Sequence, residues 1–203
     1  MMKKEILCRL FIAPVILSFF FSCSSEEKKV APPDSSQINS LSLKSLDGKD
    51  FPVSDLLKHH RANVFYFLMP GCPMCESYTL TINKLAQKFS ARGISAFAVF
   101  PIPDYSDEEI ISYRDSYHVT IPFYRDVNYS FSNVLGVTVA PEVFVLDSAG
   151  AVLYSGSIDN WAYATGKKRM EATEHFLKDA LENIVNSKPI AIKSTTAYGC
   201  LIE

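Results

Sequence analysis

The sequence lacks several patterns that identify common functional classes. It has no basic stripe with interleaved aromatic residues, and acidic and basic residues are interspersed, with a formal net charge of −2 over 203 residues. No internal repeat or low-complexity stretch follows residue 39. Nucleic-acid-binding proteins need a basic surface, so this composition argues against that class.

Cysteine is scarce, and its distribution argues against two further classes. The chain has five cysteines, of which Cys72, Cys75 and Cys200 lie beyond the N-terminal region. A structural zinc site usually takes a second ligand pair at recognisable spacing, and no second Cys-x-x-Cys or His pair with such spacing is present. A domain of this size holds together through its own core, so the cysteines are not a disulfide scaffold. Three thiols are an odd number, which leaves at least one without a partner.

The first residues have the pattern of a secretory signal peptide. Basic residues precede an apolar run from Leu10 to Phe21. A membrane span needs about 20 apolar residues, so the run is too short and fits the hydrophobic region of a cleaved signal. An uncleaved N-terminal anchor is the alternative. We therefore expect residues 1–22 to direct the chain out of the cytoplasm.

The segment after this run resembles the lipobox of bacterial lipoproteins, in which the cysteine after a small residue is lipidated. The match is Phe20-Phe21-Ser22-Cys23, and it departs from the motif at both Phe positions. The resemblance implies a lipidated Cys23, and two or more acyl chains give stable anchoring. Residues 23–39 are mostly polar, which favours a flexible linker. We expect a membrane-anchored lipoprotein of the cell envelope that faces the periplasm or the exterior.

Residues 40–187 have the alternation of strands and helices typical of one α/β domain. The apolar run at 62–68 predicts a strand buried on both faces, and the run at 94–100 predicts a second. A helix is expected between them, with apolar residues at helical spacing. The remaining predicted elements are a hairpin within 41–51, a turn of helix at 53–58, a helix from 106, a strand at 121–125, a helix at 129–135, strands at 142–146 and 151–155, and a helix at 173–185. The pattern predicts a mixed central sheet flanked by helices.

The strongest chemical signal is Cys72-Pro73-Met74-Cys75, which stands between a predicted buried strand and a helix. Free N–H groups and the positive end of the helix dipole stabilise a thiolate at that position. Pro73 suits the first helical turn, where its missing N–H is not needed. Cys75 lies one turn further, close enough to attack a mixed disulfide on Cys72. The pattern predicts thiol–disulfide exchange, with Cys72 as the nucleophile and Cys75 as the resolving thiol.

With this motif, the chain resembles thioredoxin-like redoxin-domain proteins of the bacterial envelope over about residues 40–187. Val139-Ala140-Pro141-Glu142 is similar to the cis-proline loop of that family. The resemblance implies a thioredoxin-like fold and a substrate-binding role for Ala140 and Pro141, which would face the cysteine pair. It implies a protein dithiol–disulfide oxidoreductase with no cofactor and no metal. Its partners would be protein disulfide or dithiol clients and an envelope electron donor or acceptor.

Two positions depart from thioredoxin itself. Tyr66 stands where thioredoxin has a buried Asp, and Gly71 stands where it has a Trp. The proton-relay role of a buried carboxylate is therefore not implied for this chain. A reducing potential like that of thioredoxin is not implied either.

Two other functions are alternatives. A peroxiredoxin-type peroxidase would carry Thr or Ser three residues before its reactive cysteine, but Met69 and Cys72 occupy those positions. Copper-binding thioredoxin-like carriers use a Cys-x-x-x-Cys and a distant His, and the spacing here is one residue shorter. The peroxidase and the copper carrier both rank below the oxidoreductase.

Residues 188–203 form a C-terminal tail that carries the third thiol. Pro189 favours an extended chain before it, and Leu201-Ile202 beside Cys200 favour docking on the domain. A Gly-Cys-x-Ile ending also resembles the C-termini of some envelope redoxin proteins. Cys200 is either a third redox thiol, able to reach the Cys-x-x-Cys site or complete a three-thiolate metal site with it, or an incidental thiol on a frayed end. A direct bridge requires Cα atoms within about 7 Å.

Overall fold

A computed structural model describes residues 33–101, 103 and 105–202. The predicted signal peptide, residues 1–22, and the predicted lipidation site Cys23 lie outside these residues. Within the described part of the chain, no helix has the length and apolar character needed to cross a bilayer.

The described residues form six helices and eleven strands. The helices are α1 (Ser35–Asn39), α2 (Val53–Leu57), α3 (Pro73–Ser90), α4 (Asp107–Ser116), α5 (Ser130–Leu135) and α6 (Phe176–Val185). The strands are β1 (Ser42–Ser45), β2 (Asp50–Pro52), β3 (Ala62–Phe67), β4 (Ile94–Phe100), β5 (Phe123–Arg125), β6 (Val139–Ala140), β7 (Glu142–Leu146), β8 (Val152–Gly156), β9 (Ala162–Ala164), β10 (Lys167–Lys168) and β11 (Cys200–Leu201).

Seven strands form the central sheet, in the order β2-β1-β5-β4-β3-β7-β8. Strand β4 runs parallel to β3 and β5, whereas β1, β2, β7 and β8 join by antiparallel pairing. Two small two-stranded sheets pair β9 with β10 and β6 with β11. The prediction of an α/β fold with a mixed central sheet is confirmed.

The sheet is buried on both faces, and β3 shows how the sequence achieves this. Because side chains alternate between the two faces of a strand, Val64 and Tyr66 join one apolar cluster, while Phe65 and Phe67 join the other. The first cluster includes residues of α3, α4 and α6, and the second includes residues of α1, α2 and α5. Every residue of β3 is buried, as expected for a strand covered by helices on both sides.

Among the described residues, regular structure begins earlier in the chain than the sequence predicted. Helix α1 lies within the segment 23–39, for which the sequence predicted a flexible linker. Asp34 caps this helix by accepting a hydrogen bond from the backbone N–H of Ser36 at 2.9 Å. Ile38 is fully buried in the second apolar cluster. One apolar side chain with a place in the core is therefore enough to order this turn.

The C-terminal tail lies along the domain. The N–H of Ser155 donates to the carbonyl of Lys193, and the N–H of Thr195 donates to the carbonyl of Ser155, both at 3.0 Å. These bonds cover the exposed edge of β8, which would otherwise present unpaired backbone groups. Further along, β11 pairs antiparallel with β6, and Cys200 lies opposite Ala140.

Candidate active site

Cys72 lies at the amino end of α3, between that helix and the end of β3. It is the N-cap residue, with an extended backbone (φ −86°, ψ 112°), and Pro73 occupies the first helical position. The first hydrogen bond of the helix runs from the N–H of Glu76 to the carbonyl of Cys72 at 3.1 Å. The structure thus places the Cys72 sulfur at the positive end of an 18-residue helix.

The turn before Cys72 explains why glycine stands at position 71. Gly71 has φ of 72°, a left-handed conformation that a bulky side chain disfavours. The hydroxyl of Tyr105 donates to the carbonyl of Pro70 at 3.0 Å, and the N–H of Cys72 donates to the carbonyl of Met69 at 3.3 Å. These bonds hold the turn and fix the direction in which Cys72 enters the helix.

The loop around Pro141 faces Cys72. The Ala140–Pro141 peptide bond is cis, as the family resemblance implied. The carbonyl oxygen of Ala140 lies 3.3 Å from the Cys72 sulfur. On the other side of the proline, the Glu142 carboxylate accepts a hydrogen bond from the N–H of Thr138 at 3.1 Å, and burial raises the pKa of this carboxyl. The structure therefore brings Ala140 and Pro141 beside Cys72.

The disulfide of this structure joins Cys72 to Cys200, not to Cys75. The two cysteines are 128 residues apart in sequence, and their Cα atoms are 6.2 Å apart, within the range that a direct bridge requires. The spacing of Cys72 and Cys75 had predicted a redox pair between those two cysteines instead. The pairing of β11 with β6 brings Cys200 to the same sulfur, because its register partner Ala140 lies against Cys72.

Cys75 remains a thiol and is fully buried. Burial raises its pKa to about 12, and the nearby carboxylate of Glu76 adds a smaller effect in the same direction. A hydrogen bond with the backbone of Met69 acts in the opposite direction. In this state, Cys75 is protonated at neutral pH and is a weak nucleophile.

Tyr66, at the position of thioredoxin's buried Asp, is a core residue on the same face of the sheet as both cysteines. It is 1% exposed, and burial raises the pKa of its hydroxyl. A neutral phenol occupies this position, so it supplies no carboxylate for proton transfer to Cys75.

The tail packs closely against the site. The sequence left two possibilities open for Cys200, a thiol at this site or an incidental thiol on a frayed end. The N–H of Ile202 donates to the carbonyl of Thr138 at 3.1 Å. A Cβ atom on Gly199 would stand 2.1 Å from the carbonyl oxygen of Ala140, so only glycine fits there. The sequence signal was the Gly-Cys pair before two apolar residues, but the sequence did not name its partner strand.

A three-thiolate site and a copper site are the two metal sites that the sequence left open for these cysteines. Among the described residues, no group of three or more His, Cys, Asp or Glu side chains is arranged to hold a metal ion.

Comparisons with known proteins identify the family and the fold. The family model described as redoxin matches residues 27–162, about two thirds of the chain. No curated protein matches this sequence.

Solved structures share the architecture at low sequence identity. An uncharacterized conserved protein from Geobacillus kaustophilus superimposes with a TM-score of 0.72 at 19% identity, over 85% of this chain and 92% of the other. A secreted disulfide oxidoreductase from Mycobacterium tuberculosis gives 0.52 at 14%, over 76% and 99%. A peroxidoxin from the same organism gives 0.53 at 14%, over 77% and 94%. At these identities the likeness concerns the fold, and the thioredoxin-like fold is confirmed.

Proposed function

Because this chain belongs to the redoxin family, we propose that it is a thiol–disulfide oxidoreductase whose reactive thiol is Cys72. One observation carries the proposal: Cys72 stands at the helix terminus beside the cis-proline loop and is already engaged in a disulfide with a chain segment paired to that loop. That is the arrangement expected of a thiol that exchanges with cysteines on extended polypeptides. The helix terminus favours its thiolate when the disulfide is reduced.

The exchange proceeds in two displacement steps. The Cys72 thiolate attacks one sulfur of a client disulfide, forms a mixed disulfide, and the other client sulfur leaves as a thiolate that takes up a proton. A second thiol of this chain then loses its proton and attacks the Cys72 sulfur, which releases the client's remaining sulfur as a thiolate. The client disulfide gains two electrons, and the protein changes from two thiols to one disulfide. Cys75 and Cys200 are the two candidates for the second thiol.

We also propose that this chemistry takes place outside the cytoplasm, on a protein anchored to a membrane through lipidated Cys23. The signal-like residues 1–22 and the lipobox-like segment support this location. Disulfides persist in such compartments, where protein disulfides or dithiols are available as clients. An envelope electron donor or acceptor would return the protein to its starting state.

The test is reaction of the fully reduced chain with a fluorogenic peptide disulfide. We expect Cys72→Ser to reduce the rate to the slow rate of the remaining Cys200 thiol, because the sulfur at the helix terminus is removed. A control substitution at an exposed position on the same helix, Leu80→Ala, should keep the parent rate. An unchanged rate in Cys72→Ser contradicts the proposal. Oxidation of Cys72 by hydrogen peroxide much faster than by the peptide disulfide would favour the peroxidase alternative.

A further inference from the structure

We propose that Cys200 is the resolving thiol of this exchange. Residues 198–202 occupy the edge of β6 that a client would occupy, and they displace the client from it. The proposal rests on the proposed function and names the residue that completes it. It reassigns the role that the spacing of Cys72 and Cys75 suggested for Cys75.

The tail places Cys200 where the cysteine of a client would bind. An extended client whose cysteine reacts with Cys72 would add to the free backbone edge beside it, and that edge belongs to β6. In this structure the tail occupies that edge, with Cys200 opposite Ala140 and Leu201 opposite Val139. A client and the tail therefore compete for one edge, and arrival of the tail places a thiol at the sulfur that holds the client.

The tail is held by contacts that do not depend on the disulfide. The Thr195 hydroxyl hydrogen-bonds with the Tyr154 hydroxyl at 2.8 Å and accepts from the N–H of Ser157 at 2.9 Å, while the Ser157 hydroxyl donates to the carbonyl of Thr196 at 2.6 Å. These bonds fix the chain at Thr195 and Thr196, shortly before Cys200. Reduction leaves them in place, so the effective concentration of the Cys200 thiol near Cys72 stays high.

Cys75 is the other candidate for the resolving thiol. Cys75 is fully buried, and its pKa of about 12 leaves about one molecule in 10⁵ as thiolate at pH 7. Cys200 lies in a partly exposed tail segment and needs no opening of the core to move toward or away from Cys72. The more accessible thiol completes the exchange faster, unless the core opens around Cys75.

The resolving step balances as written. Cys200 loses its proton to solvent, and its thiolate attacks the Cys72 sulfur of the mixed disulfide. The bond between Cys72 and the client sulfur breaks as the bond between Cys72 and Cys200 forms, and the client leaves as a thiolate that takes up a proton. The product is the disulfide of this structure, with Cys75 still a thiol.

The experiment compares trapping of a client in matched variants of the full chain. Each reduced protein is mixed with an excess of a peptide disulfide, quenched in acid and analysed by intact-mass spectrometry. In Cys200→Ser, we expect the mixed disulfide on Cys72 to last at least about tenfold longer than in the parent protein. In Cys75→Ser, we expect the parent lifetime and a Cys72–Cys200 product. Cys75→Ala provides the same test with an apolar replacement, since the site is buried.

The outcomes separate this proposal from the proposed function. A client adduct that accumulates in the Cys75 variants as much as in Cys200→Ser, or in neither, overturns the role of Cys200. The double variant Cys75→Ser/Cys200→Ser has no resolving thiol, so it must form a lasting adduct if Cys72 attacks disulfides at all. Absence of an adduct in the double variant overturns the proposed function itself.

Discussion

Substitution of Gly199 by Ala tests the docked tail without removing any cysteine. The added Cβ would lie 2.1 Å from the carbonyl oxygen of Ala140 and 2.5 Å from its carbon, and both atoms belong to a buried backbone loop that cannot move aside cheaply. The tail must therefore leave the β6 edge. It loses the Ile202 bond to Thr138 and the other bonds of this short ladder.

The expected magnitude follows from those bonds. Each is worth about 0.5–1.5 kcal/mol net, so loss of two or three amounts to about 1–4 kcal/mol. A difference of 1.4 kcal/mol is tenfold in an equilibrium constant, so the equilibrium constant for docking of the tail should fall by about 5-fold to about 700-fold. Resolution of the mixed disulfide should slow by a similar factor, because the Cys200 thiol spends less time beside Cys72.

The assay is the lifetime of the peptide adduct, measured by acid quench and mass spectrometry, together with mapping of the disulfide in the oxidised protein. Leu80→Ala is the control, because this side chain is exposed on α3 and takes no part in the pairing of β11 with β6. The control should behave as the parent. An adduct lifetime in Gly199→Ala within about twofold of the control, with Cys72–Cys200 still the product, would refute the argument that β11 pairing delivers the thiol.

Three further predictions use other parts of the chain. In the oxidised protein, the rate of alkylation of Cys75 should rise about tenfold per pH unit from pH 7 to pH 10, because the thiolate fraction rises tenfold per unit below its pKa of about 12. The rate is measured by mass spectrometry, and a rate that no longer rises by pH 9 contradicts this. Asp126→Ala should lower the free energy of unfolding by about 3 kcal/mol, because this buried carboxylate accepts hydrogen bonds from the N–H groups of Phe131 and Ser132. Urea titration measures this loss, and a loss below about 1 kcal/mol contradicts the prediction. Cys23→Ala should release the protein from membranes or block its processing, and a variant that is processed and stays bound in cell fractionation contradicts the lipid anchor.

The sequence predicted the centre of the fold and the helix start beside Cys72 because both depend on local patterns. A short uninterrupted apolar run is typical of a strand that is covered on both faces, and β3 coincides with such a run. A Cys-x-x-Cys with Pro73 after the first cysteine marks a helix start, and α3 begins at Pro73. The cis bond at Pro141 was implied only by the family resemblance, since most X-Pro bonds in folded proteins are trans.

Other elements depend on contacts that the local pattern does not contain. Helix α6 was predicted from residue 173 but begins at Phe176, because the Asn160 side-chain oxygen accepts hydrogen bonds from the N–H groups of Thr173 and Glu174. A side chain from a distant loop thus holds those two residues outside the helix. Helix α1 was missed for a similar reason, since its polar sequence gives no sign that Ile38 has a place in the core.

The tail shows the same limit at the candidate active site, because its partner strand β6 is not evident from the sequence. On the proposed function, the docked tail also favours one route for reducing the Cys72–Cys200 disulfide. With the tail docked, Cys72 is 1% exposed while Cys200 is partly exposed, so an incoming thiol reaches the Cys200 side of the disulfide more readily. Attack there expels Cys72 as the leaving thiolate, and the amino end of α3 stabilises that charge. Exposure and leaving-group stability therefore favour the same direction of attack. On the proposed function, a donor that attacks Cys200 frees the Cys72 thiolate while the bonds of Thr195 and Thr196 still hold the tail. The β6 edge becomes available to a client only when the pairing of β11 with β6 also breaks.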